Sequence, residues 1–407
     1  MRLSNRWRAR LGLTALLLLA ACGGLPTPNS NAPTAQSSKI PKLPKSAIEL
    51  NIIDVAGGQQ LAQGMLDDYR SSHSNVVSKI TVTTGTAPEL PAKIKAQQQG
   101  GSVQFDIVLT GSDGLSAGVE QNLWYQLLPN YQPKFPDLKA TLQEPAYRMQ
   151  QLTKGYGMIY TYTQSGPLIE YNPAKVTSPP TSPQELLDWA KAHPKRVEYA
   201  RPANSGPGRT MLQGLPYLLG DKDPKDPIKG WDKTWAYLKD LNNYIEYYPT
   251  GTKVTMTDIA NGSRDIIAST MGWDMNPRAL GTVPNTVQVG LLQKQGFHWL
   301  SDSQYMVVPR GIADDHLAVA LDFLSFMLQP KEQAHTYDKG YFYPGPAVKN
   351  VPISLAPAAS QQVVNQFLRP DYEQWIKQYP VEIALDTKQL NDAFEKWDRE
   401  VGSGKTK

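Results

Sequence analysis

The sequence predicts an α/β protein built as two lobes, and three observations carry that expectation. Buried-strand runs alternate with amphipathic helical stretches from Ile48 onward, the order that builds a parallel-rich sheet with helices on its faces. About 350 residues follow the N-terminal polar segment, enough for two cores by the usual domain size. Two strand-like segments, Gly155–Tyr162 and Ser303–Val308, stand where the chain would cross from one lobe to the other and return.

The N-terminus is read first. Arg2, Arg6, Arg8 and Arg10, with no acid among them, precede the apolar run Leu11–Ala21, which is too short to span a bilayer and has the pattern of a signal peptide over residues 1–21. Leu19-Ala20-Ala21-Cys22-Gly23 sets a small-residue cleavage site directly before the only cysteine of the chain. It resembles the bacterial lipobox, in which the new N-terminal cysteine is diacylated; a chance cysteine behind an ordinary signal peptide is the alternative. Residues 22–46, rich in Pro, Ser, Asn, Thr and Ala, read as a flexible tether. The expectation is an exported protein on the periplasmic or cell-surface side, held to a membrane by lipidated Cys22. The mature body has no disulfide and is long enough to be stable without one.

Within the body, Ile48–Val55 is a strand, Gln59–Tyr69 a helix, Lys79–Thr83 a strand, Glu89–Gln99 a helix and Phe105–Leu109 a third strand. In such sheets ligands bind beyond the carboxyl ends of strands. Those ends carry Gly57, then Thr84 and Thr86, then Ser112 and Asp113, residue types that let a ligand approach backbone, although turn formation accounts for them as well. The expected division is 47–154 with 303–342 as the first lobe, 155–302 with 343–401 as the second, and 402–407 as a frayed tail. Leu317–Leu328 is an amphipathic helix on the first lobe. Repeats and further membrane-length apolar stretches are not evident.

Composition excludes several function classes. The net charge of +4 invites a nucleic-acid reading, but four of the 41 basic residues lie in the signal segment, which leaves 37 against 37 acids. No basic stripe with interleaved aromatics occurs, so nucleic acid is not expected as a partner. His73, His193, His298, His316 and His335 show no metal-ligand spacing, and neither metal nor cofactor is expected. Asp221–Asp226 lacks the spacing of a calcium loop. Gly402-Ser403-Gly404-Lys405-Thr406 imitates a phosphate loop, yet Arg399 occupies the place of its first glycine and no helix follows. No nucleophile elbow is present, so an enzyme is not expected. A secreted hydrolase would have to use Asp274 and Asp302 as acid and base.

Three segments have residue types suited to a small polar ligand. Asn204–Thr210 places Ser205 and Gly208 ahead of a helix and offers the Arg209 guanidinium, a combination suited to a carboxylate or phosphate. An ordinary helix start, with Ser205 as cap and Arg209 on a solvated face, fits equally. Met271–Arg278 reads as a strand end carrying Trp273, Asp274 and Arg278, while Trp299 and Asp302 repeat the indole and acid; cation–π contact with a carboxylate suits an amine, although core packing explains many tryptophans. Tyr341-Phe342-Tyr343-Pro344 is either an aromatic lip or a hydrophobic plug between lobes.

Taken in order, these motifs resemble the type II periplasmic solute-binding proteins of ABC importers, extracellular solute-binding family 1, in particular the spermidine/putrescine-binding group. The resemblance rests on Tyr171-Asn172-Pro173 followed by Pro179–Leu187, on Gly272-Trp273-Asp274, on Trp299, and on Leu328-Gln329-Pro330 leading to Tyr343-Pro344. It implies a two-lobed type II fold, each lobe a mixed sheet flanked by helices, joined by hinge strands. It further implies that Trp273, Trp299 and Tyr343 are aromatic ligand walls, that Asp302 is near an amine-binding acid, and that the partners are a small solute and membrane permease subunits, with the protein itself a monomer. The chain departs from that group at Asp54–Gly58, which lacks aromatics, at Asp113, where the group tends to tyrosine, and at Ser205–Arg209, which replaces an acid pair. Those departures shift the expected ligand from a polyamine to a zwitterion, or to an anion with a flat or cationic part.

Overall fold

The computed structural model describes residues 39–407 except Pro88 and Gln295. The signal segment, Cys22 and the tether up to Ser38 lie outside the described residues. Ile40 already packs against the first core, so the folded body starts a few residues before the expected Ala47.

The first lobe opens with β1 (Ile48–Asp54), α1 (Gln59–Ser72), β2 (Val77–Thr84), α2 (Leu90–Gln99), β3 (Ile107–Thr110) and α3 (Ser112–Glu120). The alternation arises because β1 and β3 are buried on both faces, whereas α1 buries only Leu61, Ala62, Met65, Leu66 and Tyr69 along one stripe. β1 lies between β2 and β3, parallel to both. α4 (Leu138–Thr141) and α5 (Glu144–Leu152) lead to β4 (Gly157–Gly166), the first crossing strand.

The second lobe runs through β5 (Leu168–Tyr171), α6 (Pro183–Ala192), β6 (Val197–Glu198), α7 (Gly206–Leu219), α8 (Asp232–Asn242), α9 (Thr252–Ala260), β7 (Ile266–Ser269), α10 (Met271–Ala279) and β8 (Gln288–Gly290). Its sheet has the order β6-β7-β5-β8. Residues 271–279, expected as a strand end, are helical. Thr270 caps the helix by accepting from the Trp273 amide, and Asp274 pairs with Arg278 one turn on.

β9 (Trp299–Val307) returns to the first lobe, antiparallel to β4 along its length and to β3 at its end. Then follow α11 (Asp314–Phe326), α12 (Pro330–Gln333), a series of tight turns through 355, α13 (Ala358–Phe367), α14 (Tyr372–Gln378), β10 (Val381–Glu382) and α15 (Thr387–Glu400). The crossing is visible in the packing. Met158 to Tyr162 and Tyr305 to Val308 belong to the first core, while Leu168 and Trp299 belong to the second. Ala347, Val348, Val351 and Ala356 also join the first core, so the segment after Tyr343 stays with that lobe longer than expected.

The tail is not frayed. The Tyr248 amide donates to Lys405 O at 2.8 Å and the Lys407 amide donates to Tyr248 O at 3.0 Å, which docks the last residues on the second lobe. The architecture is the expected pair of mixed sheets, each flanked by helices, joined by a ribbon of crossing strands. No helix among the described residues is long and apolar enough to cross a membrane.

Candidate ligand-binding site

The chain builds a cavity of about 240 Å³ from both lobes. The first lobe supplies Val55 and Ala56 behind β1, Gly111, Ser112 and Asp113 behind β3, and Tyr341 and Phe342. The second supplies Ala203–Gly206, Arg209, Thr252 and Trp273, and β9 supplies Asp302–Gln304. The starts of α3, α7, α9 and α10 therefore all reach one space. α3 and α9 have no side-chain cap, so their first amides remain available to a negatively charged group. α1 differs: Asp54 accepts from the amides of Ala56, Gly58 and Gln59 at 2.8–3.1 Å and occupies that helix start itself.

The side-chain charges in the lining are Asp113, Arg209 and Asp302. Arg209 Nη2 donates to Asp302 Oδ2 at 2.7 Å, tying α7 to the crossing strand. The Asp302 charge raises the guanidinium pKa further, with Asp113 adding to it. This pair also borders a second, smaller cavity of about 160 Å³ between α3, α5 and residues 384–390, where the Ser116 and Thr387 hydroxyls meet. Ser205 caps α7 by accepting from the Gly208 amide at 3.1 Å, and its hydroxyl pairs with Thr252 at 2.8 Å. Trp273 and Tyr341 stand edge to face, with ring centroids 5.9 Å apart. Gly272 makes that approach possible, since a Cβ there would fall 2.1 Å from Tyr341 O. Burial, then the charges of Asp54, Asp338 and Asp302, push the Tyr341 phenol up, so it is a neutral hydrogen-bonding group.

A two-lobed body with polar helix starts facing a shared cavity is a receptor geometry, and sequence comparison decides the family. The profile of the bacterial extracellular solute-binding proteins matches residues 64–363. The chain belongs to that family. Members bind solutes rather than transform them. No curated protein matches the chain. Among solved structures, this solute-binding protein is similar to an ABC transporter protein from Clostridium perfringens (15% identity, TM-score 0.63, covering 86% of this chain and 98% of that one). It is also similar to the spermidine/putrescine ABC transporter substrate-binding protein PotD from Streptococcus pneumoniae (17%, TM-score 0.58, 87% and 99%) and to a GABA receptor (18%, TM-score 0.57, 87% and 95%).

The cavity of the solute-binding protein gathers Ser112, Asp113, Ser205, Arg209, Trp273 and Asp302 from the residues expected by sequence. The others lie elsewhere. Thr84 and Thr86 are exposed at the end of β2, where Thr86 donates to Glu89 at 2.8 Å, and Gly57 is in the turn behind the lining. Gly208 is on the packed side of α7, against Ala200. Asp274 is 0% exposed and bound by Arg278, Arg369 and Tyr372 at 2.7, 2.6 and 2.7 Å; it faces inward because its segment is helical. That burial also removes the acid–base pair a hydrolase would need. Trp299 is core, with Nε1 donating to Trp375 O at 3.0 Å. Tyr343 is wedged against both cores, and Tyr341 and Phe342 take the cavity positions instead. Thr252 and Gln304 had no distinguishing sequence signal; Thr252 follows a glycine ahead of a helix, and that pattern is common.

Proposed function

We propose that this protein is the substrate-binding lipoprotein of an ABC importer, anchored through Cys22, and that it captures a small zwitterion between its lobes for delivery to a membrane permease. The observation that carries the ligand class is the mixed polarity of the cavity. Helix starts from both lobes offer amides for a carboxylate, while Asp113 and Asp302 beside Trp273 offer acids and an indole for an amine or a flat cationic part. Arg209 can turn from Asp302 to a ligand carboxylate, freeing that acid for the ligand's cationic end. Contacts from both lobes would draw the cleft closed about the crossing strands. A spermidine/putrescine-binding protein and a GABA receptor share the fold, so it accommodates both a polyamine and a zwitterion.

The two aspartates also favour a polyamine, and one screen separates the readings. Thermal-shift measurements on the mature protein use amino-acid-like zwitterions, carboxylates, phosphonates and polyamines. Zwitterions are expected to stabilise it, and R209A to weaken the best of them by more than about tenfold. T84A and T86A should bind like wild type. Stabilisation by polyamines alone, or an affinity unmoved in R209A, overturns the zwitterion reading. For the anchor, labelled palmitate should enter the wild-type protein in a bacterial host and not C22S; equal labelling refutes it.

A further inference from the structure

Outside the cleft lining, Asp68 on α1, Glu332 on α12 and His335 just beyond it converge, with one ligand atom from each inside a 4.8 Å span. His335 Nε2 lies 3.4 Å from Asp68 Oδ2 and 4.0 Å from Glu332 Oε2. Two atoms each about 2.0–2.1 Å from a tetrahedral zinc ion stand roughly 3.3 Å apart, so small side-chain rotations would complete the geometry.

Two observations distinguish this group from an ordinary surface cluster of acids. Glu332 is only 2% exposed, and its Oε2, aimed at His335, has no hydrogen-bond partner. Carboxylate oxygens sealed from water are normally satisfied, because an unmet one is costly. The second observation is the seat of the imidazole. Gly64 lies in the middle of α1, where glycine costs about 1 kcal/mol relative to alanine. A Cβ at Gly64 would fall 2.1 Å from His335 Nδ1. The missing side chain lets the ring lie against α1 with Nε2 toward both carboxylates. Glu332 and His335 are three residues apart, the spacing that places an acid and an imidazole on one face of a helical turn in metal-binding bundles.

We propose that Asp68, Glu332 and His335 bind a divalent transition-metal ion of the zinc class, with water in the remaining position. One imidazole and two carboxylates suit such an ion better than calcium or magnesium, which prefer all-oxygen shells. Lys331 Nζ now rests 2.7 Å from Asp68 Oδ2, but its side chain is 70% exposed and can withdraw to solvent. The ion would clamp α1 to the segment that runs on to Tyr341 and Phe342, and so hold one wall of the cleft.

The test is a zinc titration of the chelator-stripped mature protein against a chromophoric competitor, with calcium and magnesium in parallel. One zinc per chain is expected, with H335A and D68N each weaker by at least about tenfold, since even groups that only orient a metal ligand are worth that much. K331A should bind more tightly, because Asp68 loses its competing partner. Zinc should raise the Tm of the wild type but not of D68N. Should H335A fail to fold, D68N decides the matter, because the Asp68 side chain is 34% exposed and its loss leaves the core intact. Absence of saturable zinc binding, affinity that survives D68N, or calcium binding as strong as zinc overturns the proposal.

Discussion

Replacing Asp274 with alanine separates a structural acid from a ligand-binding one. The carboxylate is fully buried and accepts from Arg278 Nε at 3.0 Å and Nη2 at 2.7 Å, from Arg369 Nη2 at 2.6 Å, and from the Tyr372 hydroxyl at 2.7 Å. Its loss strands two guanidinium groups whose side chains are 6% and 12% exposed. Breaking a buried pair in this way costs about 3–5 kcal/mol. At roughly 2–4 °C per kcal/mol for chains somewhat smaller than this one, Tm should fall by on the order of 10 °C. Glu170 limits the loss. Burial and then the Asp274 charge hold its carboxyl well above the usual range, so removing Asp274 lowers that pKa and eases ionisation of Glu170 beside the stranded guanidinium groups. The assay is chemical denaturation of D274A and of D274A/E170Q, with the double variant less stable than the single, and solute affinity measured at a temperature where each is folded. Affinity should be unchanged. A stability loss below about 1 kcal/mol, or lost binding at wild-type stability, would falsify the assignment of Asp274 to the scaffold.

Other outcomes follow from the same contacts. W299A should destabilise by about 3–5 kcal/mol while the folded fraction keeps its affinity, as read by denaturation and calorimetry, because the indole is core and not ligand wall. With Glu170 protonated in the native state and ionised above its ordinary value of 4.5 in the unfolded chain, stability should fall as pH rises from that value, and E170Q should flatten the slope of Tm against pH. Deleting residues 402–407 removes the backbone bonds to Tyr248 and Thr250 and should cost about 1–3 kcal/mol in a urea titration; an unchanged midpoint would return these residues to the frayed reading.

The fold was legible where local pattern and tertiary role agree. β1, α1 and β3 announce themselves by largely buried strands and a one-faced helix, and both crossing strands were located to within a few residues. Residues 271–279 were not legible, because Gly272 and Pro277 argue against a helix. What makes it one is the Thr270 cap and an ion cluster completed by Arg369 and Tyr372, almost a hundred residues away. The same cluster explains why Asp274 misled: an acid beside an indole has one composition whether it faces a ligand or two arginines. Trp299 and Tyr343 failed for a related reason, since aromatic type does not reveal which side of a strand or turn meets the core. Arg209 and Asp302 were both expected near the ligand and both line the cavity, but their pairing with each other was not legible, because it spans two lobes. Metal-ligand spacing along the chain gave no sign of Asp68, which reaches Glu332 and His335 only through the packing of α1 on residues 330–340.

Asp54 carries a consequence for how this receptor could change its diet. Its carboxylate occupies the start of α1 as a permanently installed guest, next to Tyr160 and Tyr341, whose phenols its charge helps keep protonated. In effect the protein already holds one anion of its own at the edge of the cleft. Exchange of this one residue for glycine or alanine would leave the Ala56, Gly58 and Gln59 amides without their acceptor beside the cleft. If the solute carries a carboxylate, as proposed, a variant at Asp54 would offer a more highly charged solute a further set of amides, at a cost in stability at the start of α1.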